Sequence, residues 1–127
     1  MTLNDFQIFP AQNNSYVALH RRVGRETVNV RVLSTAIDDE AEATPSQEQR
    51  VRFVRHNLSA FVAIAQAKTK RGEATAGEWY GRLVLIVRIG SEDIVRYKRD
   101  GGERLSRVAF DPRRQTVWVS SDGKFAD

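Results

Sequence analysis

Apolar and polar residues alternate in two stretches near the start of the chain, SYVALHRR (15–22) and ETVNVRVL (26–33). In the second, Val28, Val30 and Val32 fall on one face and Thr27, Asn29 and Arg31 on the other, the period of two that marks a half-buried strand. The intervening VGR supplies a glycine at a tight turn, so the two stretches predict a β-hairpin. A short strand at FQIF and an irregular corner at PAQNN are expected before it.

After Leu33 the pattern shifts to STAIDDEAEATPS. Ser34 or Thr35 can cap a short helical turn with Asp38, Asp39 and Glu40 near the positive end of its dipole, and an acidic loop is the alternative. TPSQ then reads as a helix start, with Thr44 as N-cap, Pro45 at the first helical position and Gln47 completing a capping box. Beyond it Val51, Val54, Leu58, Phe61, Val62 and Ala65 fall on one face at about 100° per residue. The spacing predicts one principal amphipathic helix over 45–71. Lys68, Lys70 and Arg71 sit in its last turn before Gly72, where cations complement the dipole and glycine ends the helix. The face opposite the apolar stripe is only lightly charged, which favours a core helix over one that reads a DNA groove.

WYGRLVLIVRIG (79–90) is the strongest strand signal. Trp79, Leu83, Leu85, Val87 and Ile89 point one way and Val84 and Ile86 the other, so its centre is apolar on both faces, as in an interior strand, and Gly81 marks a bulge. SEDIVRYKRDGG (91–102) fits either a short helix or a strand, with the helix preferred. The tail reads as a hairpin of RVAF and QTVWVS joined by DPRR.

These elements assemble into a single α+β domain over 1–127, an antiparallel sheet of five or six strands with the principal helix packed across one face. The expected core includes Val30, Val32, Val54, Leu58, Phe61, Val62, Leu83, Leu85 and Val87. The run from VGRETVNVRVLSTAIDD through RFVRHNLSAFVAIAQAKTKRG to GRLVLIV resembles the small uncharacterised bacterial proteins of the domain-of-unknown-function family fourteen eighty-eight, over roughly residues 3–94. That resemblance implies a small α+β domain and assigns no catalytic residue; it leaves residues 95–127 as a basic hairpin extension.

Composition narrows the chemistry. The chain has no cysteine, which excludes disulfides, thiolate metal sites and cysteine nucleophiles. The N-terminus shows no basic segment followed by an apolar one, and the longest apolar run, LVLIV, is too short for a bilayer, so a soluble, cytoplasmic protein is expected with no membrane partner. Charge is uneven: residues 1–48 carry net −3 and residues 49–127 net +7.

Arg96, Lys98, Arg99, Arg104, Arg107, Arg113 and Arg114 leave residues 96–114 at net +4, with Tyr97 and Trp118 as candidate stacking surfaces. Cations interleaved with aromatic rings are what single-stranded nucleic acid requires, charge for phosphates and flat faces for bases. Asp38, Asp39, Glu40 and Glu42 form a candidate acidic interaction surface. The opposed segments 38–48 and 96–114 suit an unidentified protein partner or a head-to-tail homodimer. His20 and His56 are the only histidines, and neither has a ligand-spaced companion, so no metal site is assigned. RDGGERL and VSSDGK match no phosphate-loop or nucleophile-elbow spacing, and no cofactor is expected. Glu73, Glu78, Glu92 and Asp93 would have to converge for metal-assisted hydrolysis. The sequence therefore favours a non-enzymatic protein-interaction module, then nucleic-acid binding, then a hydrolase.

Overall fold

The computed structural model describes residues 6–23 and 25–111. The alternating stretches form strands where their period requires. β1 (Gln7–Pro10), β2 (Tyr16–Val23) and β3 (Glu26–Leu33) pair antiparallel in succession, and the inward-facing Val17, Leu19, Val30 and Val32 are buried. The corner between β1 and β2 is closed by the Ala11 N–H on the Tyr16 carbonyl, and the Ser34 hydroxyl donates to the Asn14 carbonyl at 2.6 Å.

The acidic stretch is helical. α1 (Ser34–Ala41) begins without a side-chain cap, and its carboxylates lie past the first turn, away from the dipole end they were expected to occupy. The single helix expected over 45–71 is two, α2 (Gln47–His56) and α3 (Leu58–Lys70). Ser46, two residues beyond Thr44, is the N-cap: its hydroxyl accepts from the Gln49 N–H while the Gln49 side chain accepts from the Ser46 N–H. The break falls at buried Asn57, whose amide donates to the carbonyls of Phe53 and Ser106, both at 2.9 Å. Its oxygen accepts from the Ser106 N–H at 2.7 Å. The apolar stripe runs through the break because both helices pack on the same core.

β4 (Thr75–Trp79), β5 (Arg82–Ile89) and α4 (Ser91–Arg99) follow, then a short 3-10 turn at Val108–Phe110. The ambiguous stretch at 91–102 is thus mainly helical, and RVAF ends in a 3-10 turn where a strand was expected. The rest of the expected terminal hairpin, with Arg113, Arg114 and Trp118, lies outside the described residues. Strand order is β1-β2-β3-β5-β4, and β3 and β5 run parallel, Val28 against Leu85 and Val30 against Val87. Among the described residues the sheet has five strands and is mixed, not purely antiparallel, and there are four helices, two of them in the span expected of one principal helix. The connection from β3 passes through three helices and an edge strand, which returns the chain to β3's side in the same direction. β5 is an interior strand, in keeping with its two-faced apolar centre.

All four helices contribute to one cluster. Ile37, Phe53, Phe61, Ile64 and Ile94 meet Val30, Val32, Val87 and Ile89, and Phe53 lies between Phe61 and Phe110 with ring centroids 5.9 and 4.8 Å away. Leu83, expected in the core, is 79% exposed, while Leu58 and Leu85 are half-buried. Leu83 pairs with Glu78 of the edge strand, further from the helices than Leu85, which still lines a groove against Val62 and Ala65 of α3.

Truncating Phe53 to alanine should lower stability by about 3–5 kcal/mol in urea unfolding, whereas Leu83→Ala should stay within about 0.5 kcal/mol. Asn57→Ala should cost about 1–3 kcal/mol, because it strips partners from the Ser106 N–H and carbonyl.

Candidate functional site

Because the helices share one face of the sheet, the other carries none among the described residues. Paired residues project to the same side, so the register places Phe9, Ala18, Arg31 and Arg88 in one row of the helix-free face. Gln7, His20, Asn29, Ile86 and Thr75 form the next row. Tyr16, Arg22, Arg82 and Trp79 belong to the same side. No Asp or Glu occupies a strand position on this face; Glu26 and Glu78 have the opposite parity.

The face is curled. Four strand spacings of about 4.8 Å would hold β1 and β4 roughly 19 Å apart in a flat sheet, yet the rings of Phe9 on β1 and Trp79 on β4 are 5.4 Å apart. Two local features permit the bend. A side chain at Gly77 would meet the Ile86 side chain at 2.4 Å, so the absent Cβ lets Ile86 lie over β4. Tyr80 and Gly81 join β4 to β5 with φ of 51° and 78°, the two positive values of a tight hairpin turn whose twist matches the strands. Gly81 therefore marks this turn, not a bulge. The hairpin carries Trp79 over His20, with ring centroids 4.0 Å apart, and leaves Tyr80 78% exposed beside it.

Beneath the rings runs a polar chain. Arg31 Nε donates to Asn29 Oδ1 at 2.9 Å, and the Asn29 amide nitrogen faces His20 Nδ1 at 3.3 Å. A guanidinium only donates, so the Asn29 oxygen must face it and the amide NH2 must face the imidazole. His20 Nδ1 then accepts, which assigns the ring proton to Nε2 in a neutral imidazole. Burial, and then the positive charge of Arg82, hold the imidazole below its ordinary 6.5. Asn29 is fully buried, and Arg31 stacks over Tyr16 with its central carbon 4.8 Å from the ring centroid.

These groups border a cavity of about 390 Å³, walled by Phe9, Tyr16, Arg31, Glu78, Trp79 and Tyr80 and closed at one side by the corner at 10–13. Ala18, between Phe9 and Arg31 in the register, is its floor.

The sequence-derived sites assemble differently. Glu40 pairs with Lys98 at 2.6 Å, Asp38 with Arg50 at 2.8 Å and Glu42 with Arg107 at 3.6 Å, while Asp39 accepts from the Ser91 hydroxyl. The acidic surface and part of the basic segment thus neutralise each other within the chain. Arg96, Arg99 and Arg104 are exposed. Tyr97 packs against the core, its hydroxyl accepting from the Glu103 N–H, and is not presented for stacking. Arg113 and Arg114 lie outside the described residues. Glu73 and Asp93 converge on Lys68, and among the described residues no three His, Asp or Glu side chains form a metal-holding group. Sequence reading missed the role of Phe9, His20, Asn29 and Arg31. Their signal was parity, since all four lie opposite the apolar face of their strands.

No helix among the described residues is long and apolar enough to cross a membrane. No protein-family model, curated protein or solved structure matches the chain.

Since His20 is harder to protonate in the folded chain than in the unfolded one, the unfolded state binds more protons below about pH 6.5 and stability there rises with pH. Its contribution is complete above that value and is lost on acidification. In NMR the His20 ring should titrate below 6.5. Wild-type protein should lose more stability between pH 7.5 and 5.5 than His20→Gln; equal losses would refute the assignment.

Proposed function

We propose that this protein is a non-enzymatic module that binds single-stranded nucleic acid across the helix-free face of its sheet. The observation that carries the reading is the composition of that face: Arg22, Arg31, Arg82 and Arg88 interleaved with Phe9, Tyr16 and Trp79, with no carboxylate at its strand positions. Guanidiniums attract phosphates and rings stack on bases, and Phe9, Arg22, Arg82 and Arg88 are exposed around the rim of this face. Arg31 and Arg88 stand side by side in the parallel register. Like charges so placed repel, and a phosphate between them removes that repulsion. This moves the expected nucleic-acid surface from residues 96–114 to the sheet. The kinship with family fourteen eighty-eight belongs to the same proposal and adds no site residue.

A protein partner is the second reading, supported by a groove of about 430 Å³ between α3 and the sheet, bordered by Phe6, Val28, Val62 and Leu85. The cis pairing of Glu40 with Lys98 and of Glu42 with Arg107 removes the charge argument for a head-to-tail dimer. A concentration-dependent sedimentation coefficient abolished by Val62→Glu would favour association through this groove.

Fluorescence anisotropy with labelled single-stranded oligonucleotides tests the leading reading. Affinity should fall steeply between roughly 50 and 200 mM salt, and Arg31→Gln with Arg88→Gln should reduce the slope of log K against log salt by about 1.4. Replacing Arg99 and Arg104 instead should change it much less. No binding at the lower salt would overturn the proposal.

A further inference from the structure

The cavity between the β1–β2 corner and the β4–β5 hairpin is more specific than the open face around it. We infer that it is the anchoring subsite for a single nucleotide, the base held against Trp79 and Tyr80 and the phosphate by Arg31, and that it takes a free mononucleotide. This rests on the nucleic-acid reading for its biological setting but on separate geometry for its own case.

Arg31 is already positioned. Its Nε is spent on Asn29, whose orientation is fixed in turn by His20, and its flat face lies on Tyr16. A guanidinium has five N–H groups, so two terminal amino groups remain to bind an anion, in the forked geometry that matches two phosphate oxygens. No carboxylate is paired with Arg31 among the described residues. A cation held on a buried amide and a ring, facing a cavity whose lining includes Glu78 but ion-paired with no carboxylate, is a receptor that surrenders little side-chain freedom on binding.

The aromatic wall is braced in the same way. Trp79 touches Phe9, His20 and Tyr80, with ring centroids between 4.0 and 5.4 Å, so its plane is set before a ligand arrives. Tyr80 is held at positive φ and largely exposed, a conformation unusual for an aromatic residue and suited to presenting its ring at the cavity mouth. The volume of about 390 Å³ lies near the lower end of the roughly 300–1,000 Å³ found for small-ligand pockets. That admits one planar ring with its attached sugar phosphate and excludes a folded segment. A ring alone would leave Arg31 unpaired, and phosphate alone would leave the aromatic wall uncovered. A ligand joining the two satisfies both.

The test uses the full chain with adenosine 5′-monophosphate, adenosine and inorganic phosphate as separate probes, followed by NMR shifts of the Trp79 indole N–H and the Arg31 Nε–H. The nucleotide should bind at least about tenfold more tightly than adenosine, the advantage expected of one charge-assisted phosphate contact. Arg31→Lys should erase that advantage, since an ammonium cannot form the fork. Tyr80→Asn, which tolerates the positive φ, should weaken nucleotide binding about tenfold by removing a stacking face. Equal affinity for nucleotide and nucleoside, or an unchanged Arg31→Lys variant, would overturn the subsite even if oligonucleotides bind elsewhere on the face. Nucleotide binding without oligonucleotide binding would support the subsite and overturn the wider nucleic-acid reading. Saturation by phosphate alone with the nucleotide's affinity would overturn it in favour of a simple anion site.

Discussion

The parallel pairing of β3 with β5 constrains everything else in the molecule. Two parallel strands cannot be joined by a turn, so the chain must leave the sheet after Leu33 and cross before it can return. The crossing is made by α1, α2 and α3, and their apolar sides find cover on the strand face that carries Val30, Val32 and Val87. α4 adds Ile94 to the same cluster. With every described helix on one side, the polar parity of β2 and β3 is left without a helix over it, and β4 is displaced to the outer edge. Lys68, at the end of α3, secures this arrangement by bonding to the Arg88 carbonyl and to Asp93, which joins helix, strand and the start of α4 at one point.

Charge is distributed by the same logic. Asp38 and Glu40 of α1 pair with Arg50 and Lys98, Glu42 just past the helix pairs with Arg107, and Asp39 accepts from the Ser91 hydroxyl, which fastens the helical layer together. The Asp38–Arg50 contact is bidentate and largely sheltered from water, the geometry in which such a pair fixes orientation well. Arg31, Arg82 and Arg88, on the helix-free sheet face, are in no ion pair among the described residues. A net charge counted along the sequence mixes these two populations, one structural and one presented to solvent.

Much of the frame was legible because period and burial coincide. Alternation located β2 and β3, and the two-faced apolar centre of β5 marked an interior strand. The break at Asn57 was not legible, since the apolar stripe continues from Val54 to Phe61 and only a long-range bond to Ser106 gives the asparagine its role. Leu83 was misplaced because parity reports which face a residue occupies, not how far a helix extends over it. The candidate site was half visible: alternation put His20, Asn29 and Arg31 on the polar face. Nothing local announces that residues from opposite edges of the sheet, Phe9 and Trp79, meet above them. That meeting depends on a curl set by Gly77 and the Tyr80–Gly81 turn acting through three intervening strands.

The contact between Phe9 and Trp79 closes a loop of about seventy residues. Closing so long a loop carries an entropic cost that local structure cannot offset, so this contact forms only after the sheet between its ends has been built. The hairpin of β2 and β3 and the turn at Tyr80–Gly81 can order early from near neighbours; the concave face cannot. The last stage of folding and the assembly of the aromatic wall are therefore one event: a chain that has not completed its sheet has no such wall, and a ligand bound there would act as a clasp on the finished fold.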